Sequence, residues 1–118
     1  MKAVDVNIKI IKDSRREDTL SVNVKTEKYE VNSSVPVGKS KGKFEVVSLD
    51  PQEAIGKFEE IKGEILSRDF STVLEFDNFL KQLDGTYNKS NLGGNLILCL
   101  SIAFTKYLQK KIIWKLTN

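Results

Sequence analysis

The stretch Leu83-Asp84-Gly85-Thr86-Tyr87-Asn88-Lys89-Ser90-Asn91-Leu92-Gly93-Gly94-Asn95-Leu96-Ile97-Leu98 constrains this chain more than any other, because it joins two helices of different character. Upstream, Thr72 and Glu75 read as a capping pair, and Val73, Phe76, Phe79, Leu80 and Leu83 form one apolar stripe before Gly85 permits a left-handed exit. Downstream, the spacing predicts a helix over about 92–110. It carries Leu96, Ile97, Leu98, Cys99, Leu100, Ile102, Ala103, Phe104, Tyr107 and Leu108, too many apolar positions for one narrow face. Such a helix belongs at the centre, sandwiched between a sheet and other helices, or it turns part of its surface to another chain. The first arrangement is the expectation. Ile112, Ile113, Trp114 and Leu116 form a last apolar knot expected to fold back on the domain.

The preceding residues supply the sheet. Val4, Val6, Ile8 and Ile10 alternate with polar residues, as do Leu20, Val22 and Val24, the period of two of half-buried strands. Between them, 13–18 is wholly polar and fits a turn. Tyr29 to Val35 gives a third strand that Pro36 ends or leaves at an edge. Asp50-Pro51-Gln52-Glu53 opens another helix, running to about Ser67, with Ala54, Phe58, Ile61 and Ile65 on its inward face. The fold class is therefore α+β, a three-stranded antiparallel meander followed by three to four helices. A length of 118 residues suits one domain over 1–118, with roughly two thirds of the extended surface buried.

Composition narrows the functions. Without histidine, imidazole-based triads and His-ligated zinc are excluded, and the single Cys99 forms no internal disulfide and reads as a buried small thiol. Glu60 and Glu64 stand one helical turn apart and read as a solvated face, not a metal pair. Gly38-Lys39-Ser40 carries the last letters of a P-loop, but Ser33 occupies the first glycine's position and a strand-like run follows, so the match is coincidental. The segment from Val37 to Lys43 reads as a solvated loop loosened by Gly38 and Gly42. A net charge of +3 with acids nearly matching bases is not the field of a nucleic-acid binder, so neither nucleic acid nor membrane is expected as partner. The near-apolar run from Leu96 to Phe104 is shorter than the ~20 residues a bilayer requires. The N-terminus lacks the pattern of a secretory signal, which gives a cytoplasmic reading.

Leu83, Asp84, Gly85, Thr86, Asn88, Lys89, Ser90, Leu92, Gly93, Asn95, Ile97 and Leu98 fit, without gaps, the LDGT-x-NKS-x-LG-x-N-x-IL run of enolases. Ile11-Lys12-Asp13-Ser14-Arg15 with Thr19 resembles the family's IxDSRGNPT, and Val35-Pro36 with Gly38, Ser40 and Gly42 resembles VPSGASTG. Tyr107-Leu108 and Ile113-Trp114-Lys115-Leu116 resemble the segment leading into the barrel. The resemblance implies the fold of the enolase N-terminal domain. It makes Asp84, Gly85, Thr86, Asn88, Lys89, Ser90, Gly93 and Asn95 mainly structural residues, and Arg15, Gly38, Ser40 and Gly42 candidates for lining a ligand site.

Departures from the family limit what the resemblance carries over. Where the family's loop serine helps bind the second magnesium ion, this chain has Val37, whose alkyl group offers no oxygen. Arg16 and Asp18 replace the glycine and proline after DSR, and Ser21 replaces an acid of the dimer contact. The family's general base, its acidic partner and the carboxylates of the first magnesium belong to the barrel. The expectation is a stand-alone, non-catalytic relative that acts as a binding or assembly module, docking on an enolase-type barrel chain or forming a homo-oligomer. It would have no cofactor of its own, magnesium entering only with a barrel. Two alternatives stay open: one part of a split magnesium-dependent enolase, and a basic anionic-ligand or nucleic-acid binding module using the loop lysines Lys39, Lys41 and Lys43 together with Lys106, Lys110, Lys111 and Lys115.

Overall fold

The structure, a computed structural model, describes residues 3–34, 49–87 and 89–117. Strands β1 (Asp5–Lys12), β2 (Asp18–Lys25) and β3 (Glu30–Ser34) form one antiparallel sheet in the order β1-β2-β3. Helices α1 (Pro51–Leu66), α2 (Val73–Asp84) and α3 (Gly94–Thr117) follow. The register pairs Val6 with Val24 and Ile8 with Val22 across β1 and β2, and Val24 with Val31 across β2 and β3. Alternation turns Val6, Leu20, Val22 and Val24 into the core, while Asn7, Asn23 and Asn32 make a polar row across the other face. Asn23 Nδ2 donates to Asn32 Oδ1 at 2.8 Å along that row.

The β1–β2 turn is built on Asp13, whose carboxylate accepts from the amides of Arg15 (2.8 Å) and Glu17 (2.9 Å). Arg16 closes the turn with φ 61°, the left-handed region where a side chain is strained and glycine is at ease. Helix α1 starts as its caps require, with the Asp50 carboxylate accepting from Gln52 N at 3.1 Å. Helix α2 starts on Thr72, whose hydroxyl accepts from Glu75 N at 3.1 Å, and ends on Gly85 at φ 70°. Ala54, Phe58, Ile61 and Ile65 of α1 and Phe76, Phe79 and Leu80 of α2 are buried, as their spacing requires.

Helix α3 crosses the sheet over β2 and β3 and packs against α2, with a smaller contact on α1. Phe104 joins the two helices, stacked on Phe76 with ring centroids 3.9 Å apart and edge-on to Tyr107. The contact with the sheet runs antiparallel to β3. Lys106 Nζ donates to Asn32 O, and the thiol of Cys99 lies 3.6 Å from Leu20 O and 3.8 Å from Ser33 O.

Two expectations change here. The third helix does not stop near residue 110 but continues to Thr117, and of the terminal apolar residues Trp114 packs on the domain while Ile112, Ile113 and Leu116 do not. Nothing after Lys110 breaks a helix, since 111–117 contains neither glycine nor proline. Trp114 holds the extension down, seven residues past Tyr107 on the same face and 6.2 Å from the Tyr29 ring. Ile112, Ile113 and Leu116 are consequently exposed, so α3 is covered on its inner side and open on its outer one.

Candidate functional site

The described residues of 84–95 form a tight connection whose polar groups converge on the buried carboxylate of Asp84. Its Oδ1 accepts from Leu92 N at 2.8 Å, and its Oδ2 accepts from Thr86 N at 2.9 Å and from the Thr86 hydroxyl. Thr86 Oγ1 in turn accepts from Ser90 N at 2.9 Å, and Asn91 Nδ2 donates to Asp84 O at 3.1 Å. Burial pushes the Asp84 carboxyl up, but the bonds from Leu92, Thr86 and the Asn91 backbone outweigh it, and the net displacement is below the ordinary carboxylate value. Lys89, at φ 60°, offers its carbonyl to Gly93 N at 2.8 Å, and Lys57 Nζ reaches Asn91 Oδ1 at 3.3 Å from α1.

Asn95 works differently, as a two-bond clamp on a distant piece of backbone. Its Oδ1 accepts from Leu49 N at 3.1 Å and its Nδ2 donates to Leu49 O at 2.8 Å, pairing Leu49 as a neighbouring strand would. Gly93 makes the approach feasible: at φ 90°, a Cβ there would meet Leu49 Cγ at 2.7 Å and Asn95 Oδ1 at 2.9 Å.

These contacts gather one end of the domain. Ser34 pairs with Ser21, next to the turn that presents Arg15, and Leu49 is held by Asn95 at the start of α3. The exposed Arg15 turn, both anchors of residues 35–48 and the 84–95 connection therefore share this end. Val37, Gly38, Ser40 and Gly42, the P-loop likeness and Asn88 lie outside the described residues. Of the sequence candidates, Asp84, Gly85, Thr86, Lys89, Ser90, Gly93 and Asn95 come together as one frame, and Arg15 stands apart from it on the hairpin tip.

Elsewhere the chemistry is quiet. Burial pushes the Cys99 thiol up to about 11 and the Tyr107 hydroxyl up to about 12, so both stay protonated near neutrality. Among the described residues no three side chains of the His, Cys, Asp or Glu type gather to hold a metal ion, and Glu60 and Glu64 face solvent. Lys106 bonds Asn32 O and Lys111 bonds Asp69 at 2.9 Å, which engages two of the four lysines of the basic cluster within the domain. No helix among the described residues is long and apolar enough to cross a membrane.

Sequence reasoning overlooked the role of Leu49, because a backbone clamp leaves no motif. Its only trace was an asparagine inside an apolar helix start, at Asn95.

A three-stranded meander backed by helices, with a glycine-rich connection framed by a buried aspartate, defines an α+β domain. Residues 4–116 match the family described as the enolase N-terminal domain, and the chain belongs to that family. It is 35% identical to the enolase of Methanothermobacter thermautotrophicus over 86% of this chain and 26% of that protein. Against the enolase of Methanosarcina mazei the identity is 37%, covering 89% of this chain and 27% of that protein. Against enolase 1 of Chlorobaculum tepidum it is 37%, covering 90% and 28%. The chain thus spans about a quarter of the length of these relatives.

Proposed function

We propose that this chain is a binding and assembly module that docks on an enolase-type barrel and is inactive by itself. The observation that carries this reading is how the polar residues of the 84–95 connection are used. Asp84, Thr86, Asn91 and Asn95 are engaged with backbone inside the domain, as in a scaffold. Stabilising an enediolate requires charges fixed around the reacting atoms, and the family keeps those groups in the barrel. Isothermal titration of the chain with a folded barrel from one of the relatives tests the reading. A one-to-one complex supports it, and no heat of binding across a wide concentration range defeats it.

A second reading has support from one observation. Arg15 is exposed at the same end as both anchors of residues 35–48, the arrangement expected if that end covers a pocket in a split enolase. In that case a reconstituted mixture dehydrates 2-phosphoglycerate with magnesium, and Arg15→Ala lowers the rate at least tenfold. An unchanged rate removes Arg15 from the site.

A further inference from the structure

A groove of about 330 Å³ lies where α2, the start of α3 and the 84–95 connection meet, near the lower end of the size range of small-molecule sites. Ile97 and Leu98 give it an apolar lining, and Leu98, at 52% exposure, keeps open surface for an occupant. Asp77 and Lys81 of α2 and Lys89 of the connection give it charge. The Asp84 frame uses none of these three side chains. One carboxylate oxygen of Asp77 is buried and has no hydrogen-bond donor among the described residues. Such an acceptor costs stability until something donates to it. Among the described residues, no ion pair engages Asp77, Lys81 or Lys89. The groove therefore holds a buried acceptor that lacks a donor, two cations that lack a counter-ion, and an apolar surface beside them.

Complementarity selects among occupants. A plain hydrocarbon would cover Ile97 and Leu98 but strand Asp77 and both lysines without water or a partner. A phosphate ester would suit the lysines, yet it would bring negative charge against the Asp77 carboxylate and leave the apolar lining wet. A molecule with an ammonium and a carboxylate on one carbon, next to a short alkyl chain, meets all three demands. Spacing agrees with this. Residues four apart on a helix stand about 5–6 Å from one another at Cβ, so Asp77 and Lys81 are placed to hold two opposite charges of one small ligand, with Lys89 reinforcing the second.

We infer that this groove binds a free aliphatic amino acid, its carboxylate on Lys81 and Lys89, its ammonium on the buried oxygen of Asp77 and its side chain on Ile97 and Leu98. Binding here is independent of whether the chain docks on a barrel. The test titrates L-leucine into the whole isotope-labelled chain and follows the backbone amide resonances. Saturable shifts at Asp77, Lys81, Lys89, Ile97 and Leu98 are expected. Isocaproate, which is leucine without its amino group, should bind at least about tenfold more weakly, because it leaves the Asp77 oxygen without a donor. Lys81→Gln with Lys89→Gln keeps much of both stems and removes both charges, and should weaken leucine at least about tenfold. Asp77→Asn should weaken leucine by a similar factor and leave isocaproate no weaker. Each variant is checked for unchanged circular dichroism, and Lys9→Glu on the polar face of the sheet should bind leucine as the parent chain does. Equal binding of leucine and isocaproate, saturable shifts confined to another part of the domain, or no saturable shift up to the solubility of leucine would each overturn the assignment.

Discussion

Replacing Asp84 with asparagine changes few atoms and should destabilise the domain substantially, because the site consists of donors alone. Leu92 N, Thr86 N and the Thr86 hydroxyl all donate to the two carboxylate oxygens. An amide has one oxygen, so in either orientation its NH₂ opposes at least one of these donors. If the oxygen stays with Thr86, the buried Leu92 amide loses its acceptor, at a cost of about 1–3 kcal/mol. Losing the charge that strengthens the remaining bonds adds about 0.5–1 kcal/mol. A destabilisation of about 2–3 kcal/mol is expected. Unfolding entropy near 2.1 cal/mol/K per residue gives about 0.25 kcal/mol/K for 118 residues, so the melting temperature should fall by about 8–12 °C.

The pH dependence supplies a second readout for the same substitution. The folded Asp84 carboxyl titrates below its unfolded value of about 3.9, so its contribution is complete above that pH and is lost as pH falls through the folded value. The penalty of Asp84→Asn should therefore shrink below about pH 4. Thermal melts followed by circular dichroism between pH 3 and 7 measure both effects. A loss under about 0.5 kcal/mol at pH 7, or one that does not change with acid, would refute the reasoning.

Arg16→Gly should raise stability by about 1 kcal/mol, since glycine removes the strain of φ 61° without displacing the Asp13 bonds; urea unfolding shows it as a higher midpoint at unchanged slope. Gly93→Ala combines an unfavourable φ with contacts of 2.7 and 2.9 Å and should cost about 2–4 kcal/mol, with faster amide exchange at Leu49 as its local mark. Cys99, with its thiol pushed up to about 11, should resist a thiol reagent at pH 8 and react within seconds once denaturant exposes it.

Elements carried by periodicity and caps were legible before any coordinates. The alternation of Val6, Leu20, Val22 and Val24, the Asp50 and Thr72 caps and the Gly85 exit each express a local rule, and each stands where that rule puts it. The end of α3 was not legible in the same way. The apolar content of 112–116 suggested burial, whereas the absence of a helix breaker and the Tyr29–Trp114 contact continue the helix into solvent. The same ambiguity runs along the whole of α3, because apolar residues all round do not say which side meets the core and which a partner. At the candidate site, the glycines and polar residues of 84–95 announced a tight connection. The Asn95 clamp on Leu49 joins residues 46 apart in the chain and follows from the tertiary arrangement alone.

A domain that acts only by assembling with a barrel, as proposed, has no turnover alone. The most direct measurement is the rate of 2-phosphoglycerate dehydration, with magnesium, by the purified chain at concentrations where a relative's intact enzyme turns over readily. No rate above the uncatalysed background is expected at any concentration of the chain. Turnover that scales with the amount of chain and saturates with substrate would contradict it.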